Sequence, residues 1–550
     1  MRQIAAVLLA LCITACSEHS GKTIAADPGG TLVISTTGDP GTLFPPLVGT
    51  TQGKQIAEQI YDYLADVGPE MNTRGDQGFR PQLTDGWRWS ADSLSIAFHM
   101  NPRARWHDGK SVSAHDVQFT FALNKNPDLG GGVLSELANI DSVTATDSLT
   151  AVFWFHERRP TQFLDAAAQM LILPAHQLER VAIGRLRDAP PPPIGTGRFR
   201  LRRWEKGSSV EIVADASNYR GRAKLDRVIW SISPEFTTAV TRLFSGDADL
   251  FDALRAENLR ELVRHPRLRA VILQGTEYAF LGFNLRDAAN PTRPHPLFGD
   301  RTLRRAIAMA LDRSTLIKSV LDTLGTKAVG PTITALPSTD PGVPQIPFDS
   351  AQARILLDSL GWVSSAPQRV RTNNGRELAF ALLVPTSSLN RMRMAVLIQA
   401  QLRRLGIRVD IEQLENSAMI ARLASGNFDT ALGDWHLGAS PDGTRQAWSS
   451  SGVGKAGVNY GSYKNPTFDA QLDSALRADA EHAREKFSLA YATINQDAPA
   501  VWLYEPRTVI GLHRRIRTGW MRPDAWWVDL GEWYIPPSER LLRDRVPLAR

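Results

Sequence analysis

"ELAFALLVPTSSLNRMRMAVLIQAQLRRLGIRVDIEQLENSAMIARLASGNFDTALGD", residues 377–434, decides how the rest of the chain is read. "ELAFALLV" at its start is an apolar run of strand length. "RMRMAVLIQAQLRRLG" then places Ala395, Ile398, Leu402 and Leu405 on one helical face. It stops at Gly406, a residue that takes the left-handed backbone closing a helix. "IRVDI" alternates Ile407, Val409 and Ile411, the period of a half-buried strand. A second helix follows, with Ser417 as its expected cap and Gly426 as its end, and then the strand "FDTALGD". This β-α-β-α-β order predicts a mainly parallel sheet with helical crossovers.

A chain of 550 residues exceeds what one hydrophobic core serves. Two α/β lobes of about 150–250 residues each account for it. Other elements are legible outside the central unit. "TLVIST" (31–36) and "LSIAFHM" (94–100) read as strands. "RTLRRAIAMAL" (301–311) gathers Leu303, Ile307, Ala310 and Leu311 on one helical face behind Asp300 as N-cap. Hydrophobic residues make up 43% and charged residues 22%, the balance of an ordinary globular protein. The net charge of +6 comes from scattered basic residues without aromatic interleaving, so no nucleic-acid partner is expected.

The N-terminus carries an export signal. Arg2 precedes an apolar run from Ile4 to Ala15, too short to span a bilayer but of signal-peptide length. The run ends in Ile13-Thr14-Ala15-Cys16, which looks like a bacterial lipobox. Residues 1–15 read as a lipoprotein signal peptide, Cys16 as the lipidated residue, and 16–30 as a small-residue, polar tether. The two cysteines, Cys12 and Cys16, both lie in this segment, so processing leaves no disulfide.

"WHDGKSVSAHDV" (106–117) concentrates two histidines and two aspartates. Asp108-Gly109 is a turn dipeptide, and Ser113 with Asp116 is a near variant of a capping box ahead of "VQFTFAL". His107 and His115 match no zinc spacing, so the stretch is scaffold and no metal or cofactor is expected.

The longer phrase "PQLTDGWRWSADSLSIAFHMNPRARWHDGKSVSAHDVQFTF" (81–121) resembles the entry segment of the extracellular solute-binding proteins of family 5, the peptide- and nickel-type binding proteins of ABC importers. "GTGRFRLRRW" (195–204), "NYRGRAKLDRVIW" (218–230), "LFSGDADLF" (243–251) and "LFGDRTLRRAIAMALDRSTLI" (297–317) follow in the family's order. So do "FDSAQARILLDSLGW" (348–362), "IQAQLRRLGIRVDI" (398–411), "GNFDTALGDW" (426–435) and "YKNPTFDAQLDSAL" (463–476). The resemblance implies an α/β, two-lobed fold of the periplasmic-binding-protein type II, with solute held between the lobes. Lobe one would combine residues 31–50, 191–277 and 506–550, with 51–190 as an extra subdomain, and lobe two would be 278–505. The crossings would fall near "EYAFLGFN" and "VWLYEPR".

No catalytic signature is visible: there is no G-x-S-x-G, no cysteine nucleophile after processing, and "SSGVGKA" (450–456) lacks the residues of a phosphate loop. A lipid-anchored periplasmic hydrolase is the alternative from another class. In peptide-binding relatives a W-x-x-D phrase supplies a cleft tryptophan and the acid that holds the peptide amino terminus. Here "DWHLGASPDG" gives Trp435 and His436, then Gly438 at the acid position. The resemblance also points to Asp39 and Tyr504 as cleft residues. Either the ligand carries no free amino terminus at that point, the simpler option, or Asp434, Asp442 or Asp39 supplies the charge. Within the family, nickel complexes, haem, opines and oligosaccharides are alternatives to a peptide. The expected partners are a peptide-like or other small organic solute, an ABC permease, and a membrane through the N-terminal lipid, with the body a monomer.

Globomycin treatment or Cys16→Ala is expected to accumulate precursor or release the protein from membranes. Unchanged processing and membrane association on fractionation would sink the lipidation reading.

Overall fold

The computed structural model describes residues 28–364, 366, 369–454 and 457–545, so the signal segment and Cys16 lie outside the described residues. Two large mixed sheets carry the molecule. The seven-stranded sheet runs Leu268–Leu273, Thr508–His513, Leu250–Phe251, Thr31–Thr36, Arg227–Ile232, Ser209–Ala214 and Phe199–Glu205. The six-stranded sheet runs Gly325–Thr326, Ala500–Pro506, Glu277–Phe283, Thr430–His436, Ala379–Pro385 and Arg408–Leu414. A four-stranded antiparallel sheet is built from Thr84–Trp89, Ser95–Met100, Thr150–Phe155 and Ile140–Ala145. No helix among the described residues is long and apolar enough to cross a membrane.

The opening stretch forms the expected elements, with two corrections. Ala379–Pro385 pairs in parallel with both Arg408–Leu414 and Thr430–His436. The sheet is nevertheless mixed, because Glu277–Phe283 runs antiparallel to Thr430–His436 and to Ala500–Pro506. A strand entering a lobe from its neighbour must run outward, whereas strands ending at the cleft run inward. The helix after Leu414 spans Asn416–Ala424 and is capped by Glu415, whose carboxylate accepts from the Ser417 and Ala418 amides; Ser417 is inside the helix rather than its cap. Gly406 and Gly426 both adopt the left-handed backbone, with φ of +75° and +71°. Asp300 caps its helix as expected, accepting from the Thr302 and Leu303 amides.

Each large sheet has its own core. Ile34, Trp230, Leu512 and Trp533 belong to the first, and Leu281, Leu382, Ile398 and Leu432 to the second. The chain passes from one sheet to the other between Leu273 and Glu277, and returns between Pro506 and Thr508. These passages touch. A Cβ on Gly275 would lie 1.7 Å from the Pro506 carbonyl oxygen, so only glycine fits there.

Residues 106–117 pin the small sheet to its surroundings. His107 Nε2 lies 2.9 Å from the Gly197 carbonyl, and its Nδ1 accepts from the Gly195 amide. His115 pairs with Glu179 and Asp108 with His176. The Asp116 carboxylate accepts from the Ser113 amide and hydroxyl and from the Ala175 amide. Ser113 and Asp116 thus form the capping box that the sequence pattern suggests, with the Ser113 hydroxyl also donating to the Asp116 carboxylate.

Beside the return passage, Glu505 is buried, and its Oε2 accepts from the Thr334 amide and hydroxyl. Its Oε1 has no partner among the described residues. Burial, opposed by those bonds, pushes the carboxyl up to about 7. A folded-state value above the unfolded one makes the charge a cost that is full above pH 7 and absent below the unfolded value. Glu505→Gln is expected to stabilise by roughly 1–3 kcal/mol at pH 8, with the gain gone near pH 5. Equal urea-unfolding curves at pH 8 would contradict this. Gly109, at φ +88°, tolerates no branched residue. Gly109→Val is expected to cost about 1–3 kcal/mol, while His107→Gln leaves solute binding within about twofold. Stoichiometric zinc or nickel lost on His107→Gln, measured by metal analysis, would contradict the scaffold role.

Candidate functional site: the cavity between the lobes

Strand Thr430–His436 ends at the gap between the two sheets, and the loop after it forms one wall of a cavity of about 730 Å³. Gly438, Ser440, Asp442 and Arg445 line this wall, continued by Leu476 and Arg477. The opposite wall comes from helix Thr51–Ile60, through Lys54 and Glu58, from the segment Glu157–Gln169, and from Arg522 and Asp524. The walls also touch directly. Thr73 Oγ1 donates to the Ala439 carbonyl at 3.0 Å, and Arg74 Nη1 to the Leu476 and Ala478 carbonyls.

Most charges in these walls are already spent. Arg522 pairs with Asp66 and Asp524, Arg159 with Glu157, and Arg445 with Asp473. Glu58 accepts from the Tyr63 hydroxyl and the Trp527 indole. Such pairs fix side chains more than they add affinity. No group of three or more His, Cys, Asp or Glu among the described residues is arranged to hold a metal ion.

The residues singled out from the sequence are divided among several places. Gly438 lines the cavity, is exposed, and an added Cβ would meet nothing within 4 Å, so an acid would fit there. Asp442 lines the same wall. It is open to the cleft yet ringed by protein, and that crowding pushes its carboxyl up against the pull of Arg74. His436 is also exposed at the gap, with Nδ1 3.2 Å from the Thr276 hydroxyl. Crowding, and Lys54 across the gap, hold its imidazole below the ordinary value.

The others do not line this cavity. Asp434 is held by Arg391 at 2.9 Å. Tyr504 is only 6% exposed, and burial pushes its phenol up to about 12, which makes it a core residue rather than an open ligand surface. Asp39 accepts from the Gly41 and Gly207 amides; burial works against its charge, but these bonds, with Trp204 and Lys206 nearby, keep its carboxyl below the usual range. Trp435 lines a separate apolar pocket of about 290 Å³ within lobe two, with Phe280, Met419 and Trp448. Asp165, which lines the large cavity from helix Gln162–Ala167, carries no sequence signal. It sits in an ordinary apolar helix phrase, and only the fold brings it opposite residue 442.

Comparison with known proteins agrees with this architecture. The chain is 26% identical over 545 residues to the oligopeptide-binding protein AppA of Bacillus subtilis, covering 96% of this chain and 97% of that protein. The solved structure of that AppA in complex with a nonapeptide matches with a TM-score of 0.73 at 25% identity, over 93% of this chain and 99% of the other. Heme-binding protein A of Haemophilus influenzae is 24% identical over 531 residues, covering 90% and 92%. The family model for bacterial extracellular solute-binding proteins, family 5, matches residues 78–456. With two sheets, a cavity between them and a family match over most of its length, the chain belongs to the family 5 extracellular solute-binding proteins.

Proposed function

We propose that this protein is the lipid-anchored receptor of an ABC importer, taking a peptide-like or other extended organic solute by closing its lobes. The observation that carries the reading is the cavity of about 730 Å³ walled by both lobes, large enough to enclose such a solute. Relatives named for oligopeptides support the peptide class, and the haem-named relative keeps a non-peptide solute as the variant within the same role. We assign lobe one to residues 31–50, 191–277 and 506–550, its subdomain to 51–190, and lobe two to 278–505. Sheet membership on either side of the Gly275–Pro506 contact supports that division. Cys16 would hold the lipid in the cell envelope, with the soluble body a periplasmic monomer beside its permease. Family members are solute-binding proteins rather than enzymes, which supports the receptor reading over the hydrolase alternative.

Mass spectrometry of material retained on purification is expected to find a bound organic solute. Adding that solute at about a hundredfold its Kd to stripped protein should stabilise the fold by about 2.7 kcal/mol, seen as a rise in Tm. A purified protein that retains nothing, gains no stability from peptides, and instead turns over a peptide or glycoside panel would overturn the receptor reading.

A further inference from the structure

Among the carboxylates lining the large cavity, two stand apart. Asp165 is 8% exposed, and its carboxylate makes no hydrogen bond or ion pair among the described residues. Asp442 approaches from the other wall, with only Ser440 bonded beside it. Cations are near both: Arg159 and Arg445 are committed elsewhere, while Arg74 keeps Nε and Nη2 without a partner among the described residues and pulls on Asp442. Arg159, whose field reaches both aspartates, is bonded to Glu157. Arg74, near Asp442, gives its Nη1 to two carbonyls and lies over the Phe487 ring. Arg445 is held by Asp473 at 2.6 Å. Glu136, also on the cavity, is exposed and adds negative charge near Asp165. A carboxylate buried without a counter-charge weakens the fold, and burial with Asp442 nearby pushes the Asp165 carboxyl well up. Such an arrangement makes sense when the counter-charge arrives with the ligand.

We infer that Asp165 and Asp442, from opposite walls of the interlobe cavity, form the subsite that takes the positively charged nitrogen group of the solute. This rests on the solute-receptor reading and narrows it: the ligand presents a free ammonium or a guanidinium. The vacancy left at Gly438 is met from two other backbone positions, one in each wall. The subsite therefore becomes complete only when the walls come together, which ties charge recognition to closure. Exposed Arg158 and Arg477 on the same cavity make no ion pair among the described residues and suit an anionic end of the same solute.

The test uses full-length protein stripped of solute, a random tetrapeptide library, and the same library N-acetylated, with retained peptides quantified by mass spectrometry. Free peptides are expected to be retained about tenfold or more over acetylated ones. Asp165→Asn and Asp442→Asn should each abolish that preference while leaving retention of acetylated peptides within about twofold. In ligand-free protein at pH 8, Asp165→Asn should also melt about 2–4 °C higher, since it removes an unpaired buried charge. Equal retention of both libraries, or a preference that survives both substitutions, overturns the assignment. Retention of neither library overturns the peptide reading instead. The charge subsite is then decided by thermal shift with putrescine and N,N′-diacetylputrescine. A shift from the amine alone upholds it, and no shift or equal shifts overturn it.

Discussion

The structure depends on one close approach. Where the chain crosses between its two sheets, Gly275 lies against the Pro506 carbonyl with no room for a side chain. Because the crossings touch, the two strands they feed are neighbours, and Glu277–Phe283 pairs antiparallel with Ala500–Pro506. That pairing carries an irregularity between Ala279 and Phe280, close to the crossing end. From it follow the mixed sheet, the separate cores on either side, and a cavity whose walls come from chain segments hundreds of residues apart.

The cavity itself shows how a polar cleft is kept open without being sticky. Arg522 and Arg159 neutralise Asp66, Asp524 and Glu157 along it, and Arg445 is itself held by Asp473. Buried or half-buried pairs of this kind return little net stability, but they hold side chains in one geometry. Against those paired charges, the few groups unpaired among the described residues, Asp165 foremost, dominate what the cavity attracts. The pocket beside Trp435 is different in kind, lined by one lobe and mostly apolar apart from the Arg391–Asp434 pair.

Much of the fold was legible from local patterns. Helix faces such as Ala395, Ile398 and Leu402 are buried as their spacing requires, and the glycine stops at 406 and 426 take positive φ. The parallel expectation held only for the three strands within the quoted stretch, because the direction of Glu277–Phe283 is fixed by where the chain has come from. Glu415 took the cap from Ser417 because the helix starts at Asn416, two residues earlier than expected, and the Glu415 carboxylate takes the Ser417 and Ala418 amides. The cleft was less legible. Residues 436, 438 and 442 are at the gap because they follow a strand that ends there, whereas Tyr504 and Asp434, equally plausible by resemblance, turn into the core and onto Arg391. Asp165 was invisible, since no local pattern says which face of a short apolar helix will meet another lobe.

The bonds from Thr73 and Arg74 to the carbonyls of residues 439, 476 and 478 have a thermodynamic side. They join one wall to the other, so a receptor that opened along this cavity would have to break them. In such a receptor their strength would set what fraction of empty molecules is already shut. Observed affinity is intrinsic affinity scaled by that fraction, so these two residues act as a gain control on binding. Strengthening the Thr73 bond would tighten the hold on every solute and slow its release. Weakening them would cost affinity across the board, and a change at Arg74 would also alter the charge beside Asp442.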